Sequence, residues 1–358
     1  MYIAILMTCG LIVLGFINRR STVLYICQAI WLWILTGFNS GGVDYATNES
    51  IFLRSTNKFS IGEGLSFVYT FLKKMGCNYA AYIAVTTLIA YIIIFAFIYL
   101  NAENKCLVAS LMYLYPGIDF VIQKRYFLCI PILLIAIQYL NREGKKNKLI
   151  YVILVLLATL FHTSAILYFI PIMFFLIPER FRNRIIVLLG VIGLLFAKYA
   201  KKIALLLPFI PIDKIRLYFT DLSQDSSVYK FIFWCCWQMA FLLIVRWIYN
   251  WTKKNDISEM TLKSTHMLNV EFLCILPLYA FDPVFTRLYR PIVIMDYIAV
   301  TSLIRKGSTQ YKCILIGVTF LLLLTIGSFY IFYVATGVGI DDMLATVFRY
   351  NIVLNQFR

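Results

Sequence analysis

Runs of apolar residues follow one another along almost the whole chain, separated by short charged segments. They lie at about 2–17, 22–38, 79–100, 106–118, 126–140, 149–161, 164–177, 185–200, 229–249, 266–282, 291–304 and 313–335. Such runs are typical of helices that cross a bilayer, because a helix satisfies its own backbone hydrogen bonds in hydrocarbon. The pattern therefore predicts an all-α, polytopic membrane bundle of about twelve transmembrane helices.

The cations of the short loops indicate how these helices are oriented. Five loops carry them on one side under this count, at Arg19-Arg20, 142–148, 180–184, Lys253-Lys254 and 305–312. The positive-inside rule assigns that side to the cytoplasm. Both termini and the long, irregular segments then lie outside, namely 39–78, 198–229, 282–290 and the tail 337–358. Residues 1–358 are predicted to form a single integral membrane domain.

Composition agrees with this interpretation. Hydrophobic residues make up 62% of the chain, charged residues 14%, and the mean hydropathy is +0.83. These values exclude an ordinary soluble protein, in which about a quarter of the residues are charged. The first apolar run lacks preceding cations and a small-residue cleavage site, so we expect a retained helix and not a signal peptide. The nine cysteines show no Cys-x-x-Cys spacing and are interpreted as apolar fillers.

Two outer segments are amphipathic. In Ile61–Met75, residues 65, 68, 72 and 75 share one helical face, which predicts a helix lying in the outer interface. Ala200–Tyr218 has the same character, interrupted by two prolines. Such helices either line a lateral opening to the lipid or simply pack at the membrane interface. The sequence leaves both interpretations open.

Cations are also frequent on the predicted outer side. They comprise Lys198, Lys201, Lys202, Lys214, Arg216 and Lys230, together with Lys124, Arg125, Arg287 and Arg290 at outer helix ends. Basic loops attracted to anionic headgroups are one explanation. A cavity for an anionic substrate is the other, and we favour it because four of the cations lie at helix ends.

Groups able to do chemistry fall on the same side. His162 separates two apolar runs too short to span a bilayer alone, and an imidazole at that depth is either a satisfied polar turn or a functional group. The other candidate groups are Gly41–Tyr45, Gln123–Tyr126, Asp282 with Arg287–Pro291, and the tail with Asp341, Asp342 and 349–351. Acid, imidazole and guanidinium together suffice for general base catalysis and anion stabilisation.

Several other chemistries are excluded by pattern. The sequence contains no glycine-rich phosphate loop, no metal-ligand spacing and no Gly-x-Ser-x-Gly motif. His162 and His266 fall on opposite faces, so they do not share a metal, and neither a metal nor a cofactor is predicted. Glu271 and Asp296 are deep in spans, where they form a proton or ion path or pair with cations. No inverted repeat is visible, which disfavours a transporter.

The ordered motifs resemble the EpsG/Wzy-type polysaccharide polymerase family of bacterial inner membranes. The matching pieces are Gly42–Tyr45 after an early helix, Arg125 before an apolar helix ending at 136–140, the basic turn 142–148, and Ala158–Ile166. The His-x-Ser-Ala-Ile junction at His162 is the most specific of these. The resemblance covers about residues 1–180 well and the rest by hydropathy and length.

This resemblance implies a GT-C-like membrane glycosyltransferase. It would join oligosaccharide repeat units carried on undecaprenyl pyrophosphate at the outer face of the bacterial cytoplasmic membrane, without a metal or cofactor. Expected partners are the lipid-linked donor and acceptor, membrane lipid, a chain-length regulator and a flippase, and no nucleic acid. Two other functions remain open: a flippase or transporter without catalysis, and a glycan ligase or acyltransferase.

The same resemblance assigns roles to particular residues. His162 is the expected base for the acceptor hydroxyl, because its reference pKa of about 6.5 leaves it largely neutral at pH 7. Asp44 is the alternative base or the group that orients the imidazole. Arg125, together with Arg287 and Arg290, is expected to bind the pyrophosphate, since a guanidinium binds phosphate oxygens in a fork. Further substrate contacts are expected from Arg287, Arg290, Lys124, Tyr45 and Tyr289.

Overall fold

The computed structural model describes residues 1–41, 43–55, 66–140, 142–196, 228–254, 260–281, 283–302, 314–319 and 345–356. These residues are almost entirely helical, and their only β pairing is an isolated bridge between Asn39 and Asn351. They form two compact units, a first unit of residues 1–166 with 297–358 and a second unit of residues 167–296. The predicted all-α class is confirmed, whereas the twelve spans and the single domain stay predictions.

The first unit is built from helices that follow one another along the chain. They are α1 (Tyr2–Ile17), α2 (Thr22–Gly37), α3 (Val43–Arg54), α4 (Ser66–Lys74), α5 (Tyr79–Asn101), α6 (Lys105–Met112), a kinked link (Tyr113–Gly117), α7 (Ile118–Ile122), α8 (Lys124–Phe127), α9 (Cys129–Leu140) and α10 (Lys145–Phe161). A 3₁₀ helix (Thr163–Phe169) follows α10.

The second unit continues the helical pattern. It contains α11 (Ile170–Phe175), α12 (Glu179–Phe196), α13 (Val228–Lys254), α14 (Met260–Glu271) and the 3₁₀ helices Phe272–Ala280 and Pro283–Tyr289. The chain returns to the first unit within α15 (Arg290–Ser302), and a π-helical turn (Ala345–Arg349) and α16 (Ile352–Asn355) lie near its end.

The apolar runs fold into helices close to their predicted limits. α1, α2 and α5 each match a predicted run to within one residue at either end. Within the described ranges, three helical segments are long and apolar enough to cross a membrane, namely Tyr79–Asn101, Lys105–Ile122 and Val228–Lys253. Ile3, Leu6 and Leu100 are exposed, as expected of side chains that face lipid. The last predicted run, 313–335, lies almost wholly outside the described residues.

The segment between α2 and α5 is more ordered than predicted. The amphipathic stretch is helical over α4, as its periodicity indicates. The expectation that residues 39–78 are otherwise irregular is wrong at α3, whose polar sequence lacks a clear apolar stripe. Tertiary packing stabilises α3, because Phe52 is 1% exposed and its ring lies 5.3 Å from Tyr69 and 5.8 Å from Tyr82 between ring centroids.

The C-terminal segment packs against the end of α2. The Asn351 side-chain amide donates to the Ile34 carbonyl at 2.8 Å, and the Asn39 amide donates to the Thr346 carbonyl at 2.7 Å. The Ile352 backbone N–H also bonds the Phe38 carbonyl at 2.8 Å. Asn39 and Asn351 are almost fully buried, so both amides act as structural pins. The predicted outer tail is therefore attached to the bundle over residues 345–356, whereas Asp341 and Asp342 lie outside the described residues.

A polar contact joins α1, α2 and α6. The Gln28 amide donates to the Leu11 carbonyl at 3.1 Å, the Cys106 carbonyl at 3.2 Å and the Ser110 hydroxyl at 3.0 Å. The three helices approach closely here because Gly15 has no side chain. A Cβ atom at this position would lie 2.6 Å from Gln28 Nε2 and 2.7 Å from the Cys106 carbonyl oxygen.

We expect Gly15→Ala to destabilise the first unit, because a methyl group has no space between these helices. Overpacking of this kind costs about 1–3 kcal/mol. Thermal unfolding of the detergent-purified protein measures the effect. Gly10→Ala on the same helix is the matched control, since a Cβ there meets nothing within 4 Å. Equal unfolding temperatures for the two variants would contradict this packing.

Candidate functional site

His162 lies at a break between two helices, as the sequence predicts. Its backbone is extended, with φ −151° and ψ 120°, so α10 ends there. The His162 N–H still bonds the Ala158 carbonyl at 3.1 Å, while its own carbonyl accepts from the Ala165 N–H at 3.0 Å. The residue therefore terminates one helix and begins the next, which fixes the position of the imidazole.

Ser164 determines which ring nitrogen of His162 carries the proton. The Ser164 backbone N–H donates to His162 Nδ1 at 3.3 Å, and the Ser164 hydroxyl lies 2.7 Å from the same atom. A backbone N–H is only a donor, so Nδ1 is an acceptor and the neutral ring carries its proton on Nε2. The Ser in the junction motif thus orients and polarises the imidazole.

The short helix α8 connects His162 with the predicted cations. The Tyr126 ring packs edge-on against the His162 ring, with centroids 5.4 Å apart and an angle of 86° between the planes. The preceding residue, Arg125, is half-buried, and its guanidinium lies 3.4 Å from the side-chain oxygen of Asn48 on α3. Helix α8 therefore holds a guanidinium next to a residue that contacts the imidazole.

Lys124, the first residue of α8, contacts Tyr45 on α3. Lys124 is 2% exposed, its ammonium donates to the Asn39 carbonyl, and it lies 4.8 Å from the centre of the Tyr45 ring. Burial, together with nearby Glu49, raises the pKa of the Tyr45 phenol above its ordinary value. The phenol therefore stays neutral at physiological pH and keeps its proton as a hydrogen-bond donor.

The first unit thus brings together four residues that the sequence predicted as a site. These are Tyr45, Lys124, Arg125 and His162, connected through Asn48 and Tyr126. Asp44 begins the same helix as Tyr45, but its side chain lies outside the described part of the structure.

The remaining predicted residues belong to the second unit. Arg287 and Arg290 are 8% and 2% exposed, and they flank Leu288, whose carbonyl accepts from the Tyr168 hydroxyl at 2.7 Å. Tyr289 is fully buried. Its hydroxyl donates to Asp296 at 3.0 Å and also contacts Asn269.

Asp296 has hydrogen-bond partners in the second unit. Asn269 donates to it at 2.7 Å, in addition to the bond from Tyr289. The structure thus places this acid in a compact polar cluster, as buried polar groups require. Tyr289 is part of this cluster, and its position suits a residue that holds the Arg287–Arg290 segment.

Three residues of the first-unit site received no individual role from the sequence. Tyr126 and Ser164 belong to predicted motifs, whereas Asn48 was not among the candidates. Asn48 lies four residues after Asp44, so a helix assignment for α3 would have placed both on one face. The polar composition of α3 concealed that helix. The contact of Tyr126 with His162 depends on the packing of α8 and has no signal in the sequence.

The arrangement supplies groups for proton transfer and for anion binding. His162 carries a ring nitrogen of defined tautomer, and Arg125 provides a planar cation with fixed direction. Among the described residues, no group of three or more His, Cys, Asp or Glu side chains is placed to hold a metal ion.

Comparison with known proteins gives one match. No curated protein and no solved structure matches the chain. The family model described as the EpsG family matches residues 22–351, which include all the candidate residues of both units. The chain therefore belongs to the EpsG family.

Proposed function

We propose that this protein joins oligosaccharide repeat units carried on undecaprenyl pyrophosphate into a surface polysaccharide, at the outer face of the bacterial cytoplasmic membrane. Membership of the EpsG family implies a polysaccharide-polymerase type of membrane function. Our proposal includes the lipid carrier, the membrane face and transfer without a metal ion. It also includes a GT-C-like bundle of about twelve transmembrane helices. The expected partners are a flippase and a chain-length regulator.

The observation that carries the proposal is the placement of α8. This helix holds Arg125 at Asn48, and its Tyr126 lies against His162. A glycosyl transfer from a pyrophosphate carrier needs a base for the attacking hydroxyl and a cation for the departing phosphate. The first unit supplies both groups, since Arg125 lies on α8 and His162 lies at the end of α10 against Tyr126 of α8.

The transfer requires one proton movement. An acceptor hydroxyl attacks the anomeric carbon of the donor sugar, the carbon–oxygen bond to the pyrophosphate breaks, and undecaprenyl pyrophosphate leaves with the bonding electrons. We assign the hydroxyl proton to His162 Nδ1, the acceptor nitrogen in the neutral ring. The acceptor hydroxyl would take the place of the Ser164 hydroxyl at that atom. Asp44 is the alternative base.

The arginines would stabilise the negative charge. We assign the leaving pyrophosphate to Arg125, because a guanidinium forms two directed bonds to phosphate oxygens. For Arg287 and Arg290 we propose binding of the anionic part of a lipid-linked glycan. Asn269 and Asp296 hold the Tyr289 hydroxyl, and Tyr289 would in turn position the chain segment that carries both arginines. Tyr289 itself would not touch the substrate.

Lys124 and Tyr45 receive a more limited role. The burial of Lys124 and its bonds to the Asn39 carbonyl and the Tyr45 ring suit it to shaping the site next to Arg125. Tyr45, half-buried and protonated, remains a donor for a sugar or phosphate oxygen.

A strain that lacks this gene should export single repeat units but make no polymer ladder. Surface glycan separated on a gel, with and without the wild-type gene restored, measures this outcome. Repeat units trapped on lipid inside the cell would indicate failed transport, as expected of a flippase, and would contradict the proposal. Full-length polymer that fails only to reach its final acceptor would indicate a ligase.

A further inference from the structure

An apolar groove runs between α2 and α5 in the first unit. It has a volume of about 600 Å³ and is lined mainly by hydrocarbon and aromatic side chains, among them Tyr25, Trp33, Phe95 and Ala96. Its lining reaches from Thr22 to Trp33 along α2. At about 1.5 Å per residue this is roughly 16 Å, close to half of a hydrocarbon core about 30 Å thick.

A polar pocket lies at one end of this groove. It has a volume of about 440 Å³ and is formed by the turn between α1 and α2 with Asn104, so that Arg19, Arg20 and Ser21 line it. Ser21 lines the pocket and the next residue, Thr22, lines the groove. The turn is fixed to the start of α6, because the Cys106 N–H bonds the Arg19 carbonyl at 3.0 Å.

Lys105 is held where the pocket and the groove meet. Its ammonium donates to the Thr22 hydroxyl at 2.9 Å and lies 4.2 Å from the centre of the Tyr99 ring. Three cations, Arg19, Arg20 and Lys105, therefore surround this end of the groove. One acid opposes them, since Glu103 pairs with Arg20 at 2.7 Å. The net positive charge at this end of the groove therefore favours binding of an anion.

We infer that the pocket and the groove together bind one anionic phospholipid. The phosphate would lie between Arg19 and Lys105, and an acyl chain would follow α2 and α5. The loop charges assign this end to the cytoplasm, so the lipid belongs to the inner leaflet. A cation next to aromatic rings is suited to bind an anionic lipid headgroup. The apolar groove is suited to bind the acyl chain, because its length is close to the thickness of one leaflet. This site is separate from the proposed glycan chemistry, since it shares no residue with it.

Thermal unfolding of the detergent-purified protein tests the inference. Added phosphatidylglycerol should stabilise the protein more than phosphatidylcholine with the same acyl chains. Lys105→Gln should weaken phosphatidylglycerol binding about fivefold, because one interfacial cation contributes about 1 kcal/mol. Glu103→Gln should strengthen it, because the opposing acid is removed. Lys146→Gln, an exposed cation in another loop of the same predicted side, is the control and should change nothing.

A second pair of variants tests the groove itself. Ala96→Trp should fill the groove and abolish the preference for phosphatidylglycerol, whereas Ile153→Trp on the exposed face of α10 should preserve it. Equal stabilisation by both lipids, or no difference between Ala96→Trp and Ile153→Trp, would overturn the inference. Protection by inorganic phosphate alone equal to that by phosphatidylglycerol would show an anion pocket without a lipid and would overturn it as well.

Discussion

Replacing His162 by alanine is expected to abolish long-chain surface glycan while leaving the protein folded in the membrane. The variant removes the proposed base, and general base catalysis contributes about 10²–10⁴-fold to a rate. The backbone of His162 terminates α10, and alanine retains that backbone, so the helix break should survive. The measurement is a gel of surface glycan from a deletion strain complemented with the variant, with the amount of membrane protein determined in parallel.

Two further variants separate catalysis by His162 from packing. Ser164→Ala keeps the imidazole but removes the hydroxyl 2.7 Å from Nδ1, so polymer should decrease less than with His162→Ala. His266→Ala makes the same change at the other histidine of the chain, which stacks on Tyr249 at 4.7 Å, and should leave the ladder intact. Normal ladders from His162→Ala at normal protein amounts would remove His162 from the proposed site.

Arg125→Ala is expected to have an effect of similar size. Loss of one group that stabilises developing negative charge costs about 10²–10³-fold in rate. Arg125→Lys should recover only part of the activity, because an ammonium keeps the charge but loses the forked geometry. The same gel assay, combined with turnover of purified protein on lipid-linked repeat units, measures both variants.

Two variants on helix α3 test whether the position of Arg125 matters. Asn48→Ala removes the side-chain oxygen 3.4 Å from the guanidinium. This variant should raise KM for the lipid-linked substrate by a larger factor than it lowers kcat. Arg54→Ala removes an exposed cation in the last turn of the same helix, α3, and should have little effect. If Arg54→Ala and Arg125→Ala reduced the polymer equally, general charge and not the Arg125 position would be responsible.

Much of the local structure could be predicted because hydropathy reports helices that face lipid. α1, α2 and α5 follow from their apolar runs almost to the residue, since backbone groups in hydrocarbon must bond within their own helix. The break at His162 also follows, because a polar residue separates two short apolar runs. The ordered motifs also predict the family, and the family match over residues 22–351 confirms it.

Side-chain contacts between distant segments could not be predicted in this way. α3 is polar, and the aromatic cluster at Phe52 that stabilises it joins residues from three helices. The pinning of the C-terminal segment by Asn351 joins residues more than 300 positions apart. No periodicity within a single segment contains such information.

The sequence by itself determined which apolar segments are helical, where their polar interruptions fall and which family the chain belongs to, because these properties depend on local composition and order. Only the tertiary structure decided that Tyr126 lies against His162, that Asn48 orients Arg125, and that Ser164 leaves the His162 proton on Nε2. These properties depend on distances between particular atoms, and the three-dimensional structure sets those distances.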